Sequence, residues 1–277
     1  MSDLVTPSDR ILVVGASGPI GRAVVRMAQT NGMNATAASR RGPTVLDVSD
    51  PLTVARVIAT AHPDALVYLV GTAQSTLERD REAAVDRMRT VVEAAVSAGA
   101  GRVVLSSSAA VYGDRADTPR GEDTELAGLT PYALEKIALE EALDALGGTL
   151  GVSTVSLRIF NVFGEGCRTS LINALREGPK PTLGLTDLFV RDYVHVDDVA
   201  EAVVRAVRRS SVTGSINIAR GIAVDNLMLA AAAPGAFVPA PGGPASYSVA
   251  DVSKAGQSLD WRARVDPLDY LRSLRAQ

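Results

Sequence analysis

The chain has 277 residues, 47% of them hydrophobic, and a formal net charge of −3 from 28 basic and 31 acidic side chains. That supplies enough apolar material for a large buried core, and without long single-sign runs it leaves no electrostatic footprint for nucleic acid or an anionic membrane surface. A lone cysteine, Cys167, excludes an internal disulfide, and with only His62 and His195 beside it soft ligands are too few for a typical zinc site. The opening "MSDLVTPSDR" has no apolar signal core, and no run reaches the roughly 18 apolar residues of a membrane helix without Pro or Gly. The cytoplasm is therefore the expected compartment, and a small molecule the expected partner.

In chain order, short apolar runs alternate with longer amphipathic segments. "RILVVG" (10–15) reads as a strand, "GRAVVRMAQTNG" (21–32) as a helix, "NATAAS" (34–39) as a strand, "LTVARVIATAHP" (52–63) as a helix and "ALVYLVG" (65–71) as a strand. There follow a long helix at 81–99, a strand at 101–108, a helix at 131–146 and a strand at 152–160. Strands separated by helices imply right-handed crossovers and a parallel sheet covered on both faces, an α/β doubly wound fold of the Rossmann type. The alternation becomes irregular after Phe160, where Gly and Pro accumulate. Residues 1–163 are thus expected to form a dinucleotide-binding domain to which 190–220 returns, and 164–189 with 221–277 a smaller substrate-binding lobe. "VHVDDVAEAVVRAVRR" (194–209) predicts a strand end and a helix capped by Asp197 or Asp198.

"VVGASGPIG" places Gly15, Gly18 and Gly21 between the first strand and the first helix. A pyrophosphate needs a tight turn, close backbone approach and free amides at a helix N-terminus, which is what glycines there permit. At the end of the second strand, where an acid would bind the ribose of NAD, the sequence has Ser39, Arg40 and Arg41, whose donors and charge suit the 2′-phosphate of NADP. Asp47, in "VLDVSD", either meets the adenine amino group or starts a turn before Pro51.

"TPYALEK" sets Tyr132 and Lys136 one helical turn apart. With six tyrosines and three lysines in the chain, that spacing is expected by chance well under once. A lysine charge roughly 5 Å from the phenol, at an effective dielectric of about 20, is worth about 3 kcal/mol, or about two pKa units, and predicts a phenol acidified toward 8. The serines of "SSSAAVYG" end a strand on the ligand-binding side of a parallel sheet, where a hydroxyl can hold a carbonyl oxygen during hydride and proton transfer.

With "GASGPIG", "LDVSDP", "SSSAAVYGD", "PYALEK", "RIFNVFG", "RDYVHVDDVAEAV" and "SVADVSKAGQSLDWRARV", nearly the whole chain resembles the extended short-chain dehydrogenase/reductases, specifically the NAD(P)-dependent epimerase/dehydratase group acting on nucleotide sugars. The resemblance implies that Ser108 is the catalytic hydroxyl, Tyr132 the acid-base group and Lys136 the residue on the nicotinamide ribose. It further implies a cofactor site that includes Ser17, Ile20, Val48, Leu69, Gly71, Ser106 and Phe160, and a substrate site with Asn161 and Arg191 toward the nucleotide phosphates. A homodimer through the helices at 81–99 and 131–146 is also implied.

Departures from the pattern narrow the expectation. Ala109 and Ala110 stand where sugar dehydratases carry Asp-Glu, which argues against dehydration. Ala84 replaces an asparagine, and "PAPGGPASYS" lacks an arginine that often contacts the substrate pyrophosphate. The chain is also short for a 4-epimerase, and the stretch from Asp47 to Leu69 resembles deoxysugar 4-ketoreductases. The first expectation is an NADPH-dependent ketoreductase of a nucleotide-linked deoxysugar, and the alternative an NAD-dependent nucleotide-sugar 4-epimerase. A third reading, a binding protein without turnover, is disfavoured by the presence of Ser108, Tyr132 and Lys136 together.

Overall fold

The structure is a computed structural model that describes residues 10–71, 78–114 and 117–273. Residues 1–9, which include most of the opening segment read for a signal core, lie outside the described residues.

The first half alternates strand and helix: β1 (Arg10–Val14), α1 (Pro19–Thr30), β2 (Asn34–Ser39), β3 (Thr44–Val45), α2 (Pro51–Ala61), β4 (Ala65–Tyr68), α3 (Glu78–Ser97), β5 (Arg102–Ser108), α4 (Pro131–Leu150) and β6 (Ser153–Ile159). Shorter elements follow: β7 (Asn161–Phe163), α5 (Leu171–Glu177), β8 (Thr182–Gly184), β9 (Phe189–Arg191) and β10 (Tyr193–His195). The remainder comprises α6 (Val196–Arg208), β11 (Gly214–Ile218), β12 (Val224–Asp225), α7 (Asn226–Ala232), β13 (Val238–Ala240), β14 (Ser246–Ser248), α8 (Ser253–Leu259) and α9 (Pro267–Arg272). No helix among the described residues is long and apolar enough to cross a membrane.

Seven described strands form one parallel sheet in the order β11-β6-β5-β4-β1-β2-β3. Its central strands read as continuous apolar runs because both faces are covered. On one face α1 and α6 bury Val24, Ala28, Val199 and Val203 against Ile11, Val13 and Val155. On the other, α2, α3 and α4 bury Ile58, Met88, Val92, Leu139 and Leu143 against Leu12, Leu66 and Leu105. The chain runs outward from β1 through β2 to β3 and then returns to β4, so strand order reverses between β1 and β4, and a crevice opens there at the carboxyl ends.

Local sequence sets the helix ends. Asp50 accepts the Leu52 amide and Thr130 the Ala133 amide, each followed by a proline at the first helical position. The start of α6 differs from the sequence expectation, because its cap is His195, which accepts the Asp197 amide. Asp198 instead turns to the C-terminal segment and accepts the amides of Arg264 and Val265, both at 3.0 Å, a partner 66 residues away that no local pattern reveals.

A second apolar cluster, with Phe163, Ile172, Leu175, Leu183, Tyr193 and Leu229, packs beneath the short strands and α9. Asp192 ties this region to the sheet. Its wholly buried carboxylate accepts the amides of Arg220 (2.9 Å), Gly221 (2.8 Å) and Ala250 (3.3 Å), and burial pushes its pKa up to about 6 against the pull of those amides.

Behind the end of β5 lies a buried ionic network. Arg158 donates to Glu140 Oε2 at 2.7 Å through Nη2 and to the Tyr112 hydroxyl at 2.9 Å through Nη1, and the Tyr112 hydroxyl donates to Asn217 at 2.7 Å. Ser107 and Ser215 donate to the same Glu140 carboxylate.

Candidate active site

The glycine loop leaves β1 with its amides anchored to β2: Gly15 and Ala16 both donate to the Ala38 carbonyl. Gly15 has φ +93°, and a Cβ there would stand 3.1 Å from the Leu69 carbonyl carbon, so the turn fits closely only without a side chain. A Cβ on Gly21 would fall 2.5 Å from the Gly15 carbonyl oxygen, which fixes how near α1 lies to the loop. Gly18 caps α1 without a side-chain hydrogen bond, and a Cβ added there would meet only the Gly15 oxygen, at 3.5 Å. The first turn of α1 is thus left without a capping side chain or an acid, which suits a pyrophosphate. Ser17 is exposed on this loop and Ile20 packs down onto the core.

At the end of β2, Ser39 Oγ donates to the Arg41 carbonyl at 2.6 Å, and Arg40 and Arg41 are exposed. Both follow directly on the carboxyl end of β2. Asp47 is engaged locally, accepting the Ser49 amide (2.9 Å) and hydroxyl (2.7 Å), which hold its carboxyl below the ordinary range. These contacts serve the turn before Pro51. Val48 packs against the core under α2, and Leu69 donates its amide to Val14 at the end of β1.

Ser108 ends β5, where its hydroxyl accepts the Ala110 amide at 3.2 Å and starts a short 3-10 turn, Ala109–Tyr112. The Tyr132 phenol, in the first turn of α4, lies near the Ser108 hydroxyl, which favours its ionised form. One turn on, Lys136 is 2% exposed, and its Nζ donates to the Ser106 carbonyl at 2.9 Å and stands 5.7 Å from the Tyr132 ring centre. Gly71, after β4, makes room for that ammonium, since a Cβ at 71 would lie 2.6 Å from Nζ.

These positions correct the expected electrostatics. Burial raises the Tyr132 phenol above its ordinary value, the nearby Ser108 hydroxyl offsets part of the rise, and the Glu135 charge adds to it. Burial also lowers Lys136 to about 8, against the charges of Glu135 and Glu140. The predicted acidification took the ammonium as aimed at the phenol in a medium of moderate dielectric. Here it is turned to the Ser106 carbonyl, and desolvation wins. A cationic ring bound beside Tyr132 would favour the phenolate in this buried setting more strongly than in water.

A cleft of about 280 Å³ opens at Ser108, lined also by Thr130, Phe160, Asn161 and Arg191 among others. Phe160 is buried against Tyr112 and lends an apolar wall. Asn161 Nδ2 donates to the Asp192 carbonyl at 3.0 Å, which leaves its amide oxygen for a ligand. The structure therefore gathers Ser108, Phe160, Asn161 and Arg191 around one cleft, Tyr132 against Ser108, and Lys136 against Ser106 and Gly71. The glycines and Arg40–Arg41 border the ends of β1 and β2, along the same edge of the sheet.

Sequence reasoning missed several neighbours. Arg22 donates to the Ser17 carbonyl at 2.5 Å, putting a cation on the glycine loop. Thr130 both caps α4 and lines the cleft, and the "TP" before the helix was a readable signal for it. Glu135 is 4% exposed, beside Gly71. Asp114 and Ser246 hold Arg191, and nothing in the sequence pairs positions so far apart.

The sequence profile described as "NAD dependent epimerase/dehydratase family" matches residues 11–219. The chain belongs to that family. A UDP-glucose 4-epimerase of Azospirillum brasilense is 29% identical to this NAD dependent epimerase/dehydratase family member over 320 aligned positions, covering 97% of this chain and 91% of that one. The solved UDP-glucose 4-epimerase of Thermus thermophilus, a complex with NAD, superposes with a TM-score of 0.80 at 26% identity, covering 95% of this chain and 96% of that one. MoeE5, solved with UDP-glucose and NAD, gives 0.80 and 26%, covering 96% and 99%. The family member is accordingly an enzyme of the extended short-chain dehydrogenase/reductase type with a Rossmann-like sheet.

Proposed function

We propose that this chain is a nucleotide-sugar 4-epimerase. The observation that carries the reading is Tyr132 placed near Ser108 at the edge of the cleft, with Lys136 buried behind it and the uncapped N-terminus of α1 along the same edge of the sheet. The full-length match to UDP-glucose 4-epimerases gives it its substrate class. It replaces the ketoreductase expected first. That expectation leaned on the chain's shortness and on the stretch from Asp47 to Leu69, whereas the match to an epimerase spans 91% of that protein.

In this reading Tyr132 removes the proton of the sugar 4-hydroxyl and later returns it, while Ser108 holds the same oxygen in place. Lys136 and the α1 amides hold the dinucleotide, which when bound supplies the hydride acceptor and donor. Asn161 and Arg191 orient the nucleotide end. Water is kept from the reacting carbon by the Phe160 wall. The purified chain, given UDP-glucose and no added cofactor, is expected to yield UDP-galactose, with NAD released on denaturation and identified by mass spectrometry. A dinucleotide-free protein that instead oxidises added NADPH with a 4-keto sugar would return the reading to a ketoreductase.

One observation favours that second reading: the exposed Arg40–Arg41 pair at the end of β2, with no acid beside it. Guanidinium forks contribute to a 2′-phosphate and nothing comparable to a ribose hydroxyl. Replacing Arg40→Ala together with Arg41→Ala is expected to weaken NADPH binding by about tenfold or more and to leave NADH binding within about twofold, as read by nucleotide fluorescence titration.

A further inference from the structure

Arg191 and Asp114 carry the only charges among the described residues lining the cleft, and they are paired. Arg191 Nη2 lies 3.2 Å from Asp114 Oδ2 and donates to Ser246 Oγ at 2.7 Å, and Ser246 Oγ donates to the same carboxylate oxygen at 2.5 Å. The remaining fork is also engaged, since Nη1 donates to the Val190 carbonyl at 2.8 Å and the guanidinium lies 3.9 Å over the Phe189 ring. The arginine side chain is 14% exposed and the aspartate 49%, so the carboxylate is the more solvent-facing of the two. Asp117, whose charge reaches Tyr247 next to Ser246, adds a further negative group nearby.

A guanidinium recognises a phosphate best when its fork is free. Here the fork is closed by a carboxylate that Ser246 fixes from the other side, and the cleft wall has no net charge. We propose that Asp114 is a specificity-determining residue, one that competes with the substrate's diphosphate for Arg191 and so weakens the hold of this end of the cleft on the anionic part of a nucleotide sugar. The inference rests on the epimerase reading for what the cleft holds, and deepens it. A doubly charged diphosphate must displace Asp114 or face it, whereas a sugar hydroxyl or a singly charged group can share the Arg191–Ser246 pair as it stands.

The test is calorimetric titration of the full chain, its dinucleotide site saturated with NAD or NADP, with inorganic pyrophosphate. Asp114→Asn is expected to bind pyrophosphate about tenfold more tightly than the wild type, and the gain is expected to vanish when Arg191→Gln is added. Asp114→Ser, with the same charge change and a different shape, should reproduce the tightening, which guards against one misfolded variant. Pyrophosphate bound no more tightly by either single variant than by the wild type overturns the proposal. Uridine diphosphate in the same titrations keeps the two readings apart. If it binds no protein more tightly than pyrophosphate does, the nucleotide-sugar reading falls, whatever the Asp114 substitutions do to pyrophosphate.

Discussion

Tyr132→Phe is expected to lower kcat by about 10² to 10⁴-fold while KM and the circular-dichroism spectrum change little, since a positioned acid-base group contributes on that scale. The phenol oxygen is the single atom removed. Its ring remains in the first turn of α4, and its neighbour Ser108 keeps the Ala110 amide, so the local fold has no reason to move. The pH profile provides the internal check. Burial holds this phenol above its ordinary value, so ionisation of the chain's own Tyr132 does not reach neutral pH unaided. Wild-type activity with dinucleotide bound should therefore fall on the acid side of an apparent pKa well below that of the free protein's phenol, and this limb should be missing in the variant. Steady-state rates between about pH 5 and 9 decide the matter.

The largest effect on stability is expected at Glu140. Its side chain and that of Arg158 are each 6% exposed, and the carboxylate receives the guanidinium together with the hydroxyls of Ser107 and Ser215. Removing one partner of a buried pair leaves the other charged and unsolvated, so Glu140→Ala should cost about 3–5 kcal/mol. The guanidinium chloride midpoint would fall accordingly at an unchanged slope. Glu140→Leu combined with Arg158→Met, which removes both charges at similar volume, should recover much of the loss. Because Ser107 precedes Ser108 on β5, the single variant should also loosen the strand end on which the site stands.

The alternation of strand and helix up to β6, the glycine loop and the helix carrying Tyr132 and Lys136 were legible because each depends on neighbours within a turn or a strand pair. Apolar runs such as "ILVV" announce strands covered on both faces, and "TP" announces the start of α4. What stayed hidden depends on distance along the chain. Asp198 looks like a cap until its carboxylate is found on Arg264 and Val265. The Arg158–Glu140–Tyr112–Asn217 network spans positions that no periodicity relates. The direction of the Tyr132 shift was misjudged for a similar reason: the Tyr-x-x-x-Lys spacing gives the proximity of two groups, but not how deeply both are buried or which carbonyl the ammonium prefers.

The way β11 completes the sheet has a consequence for how such a chain can change. Residues 214–218 close the open side of β6, and α6 covers α1, so the large sheet is finished by a segment that arrives after the small strands and α5. A chain halted after residue 163 would bare a sheet margin and strip one flank of its hydrophobic cover. The intervening stretch is therefore held like a cassette between two fixed ends, and a change in its length leaves the sheet's own pairings in place.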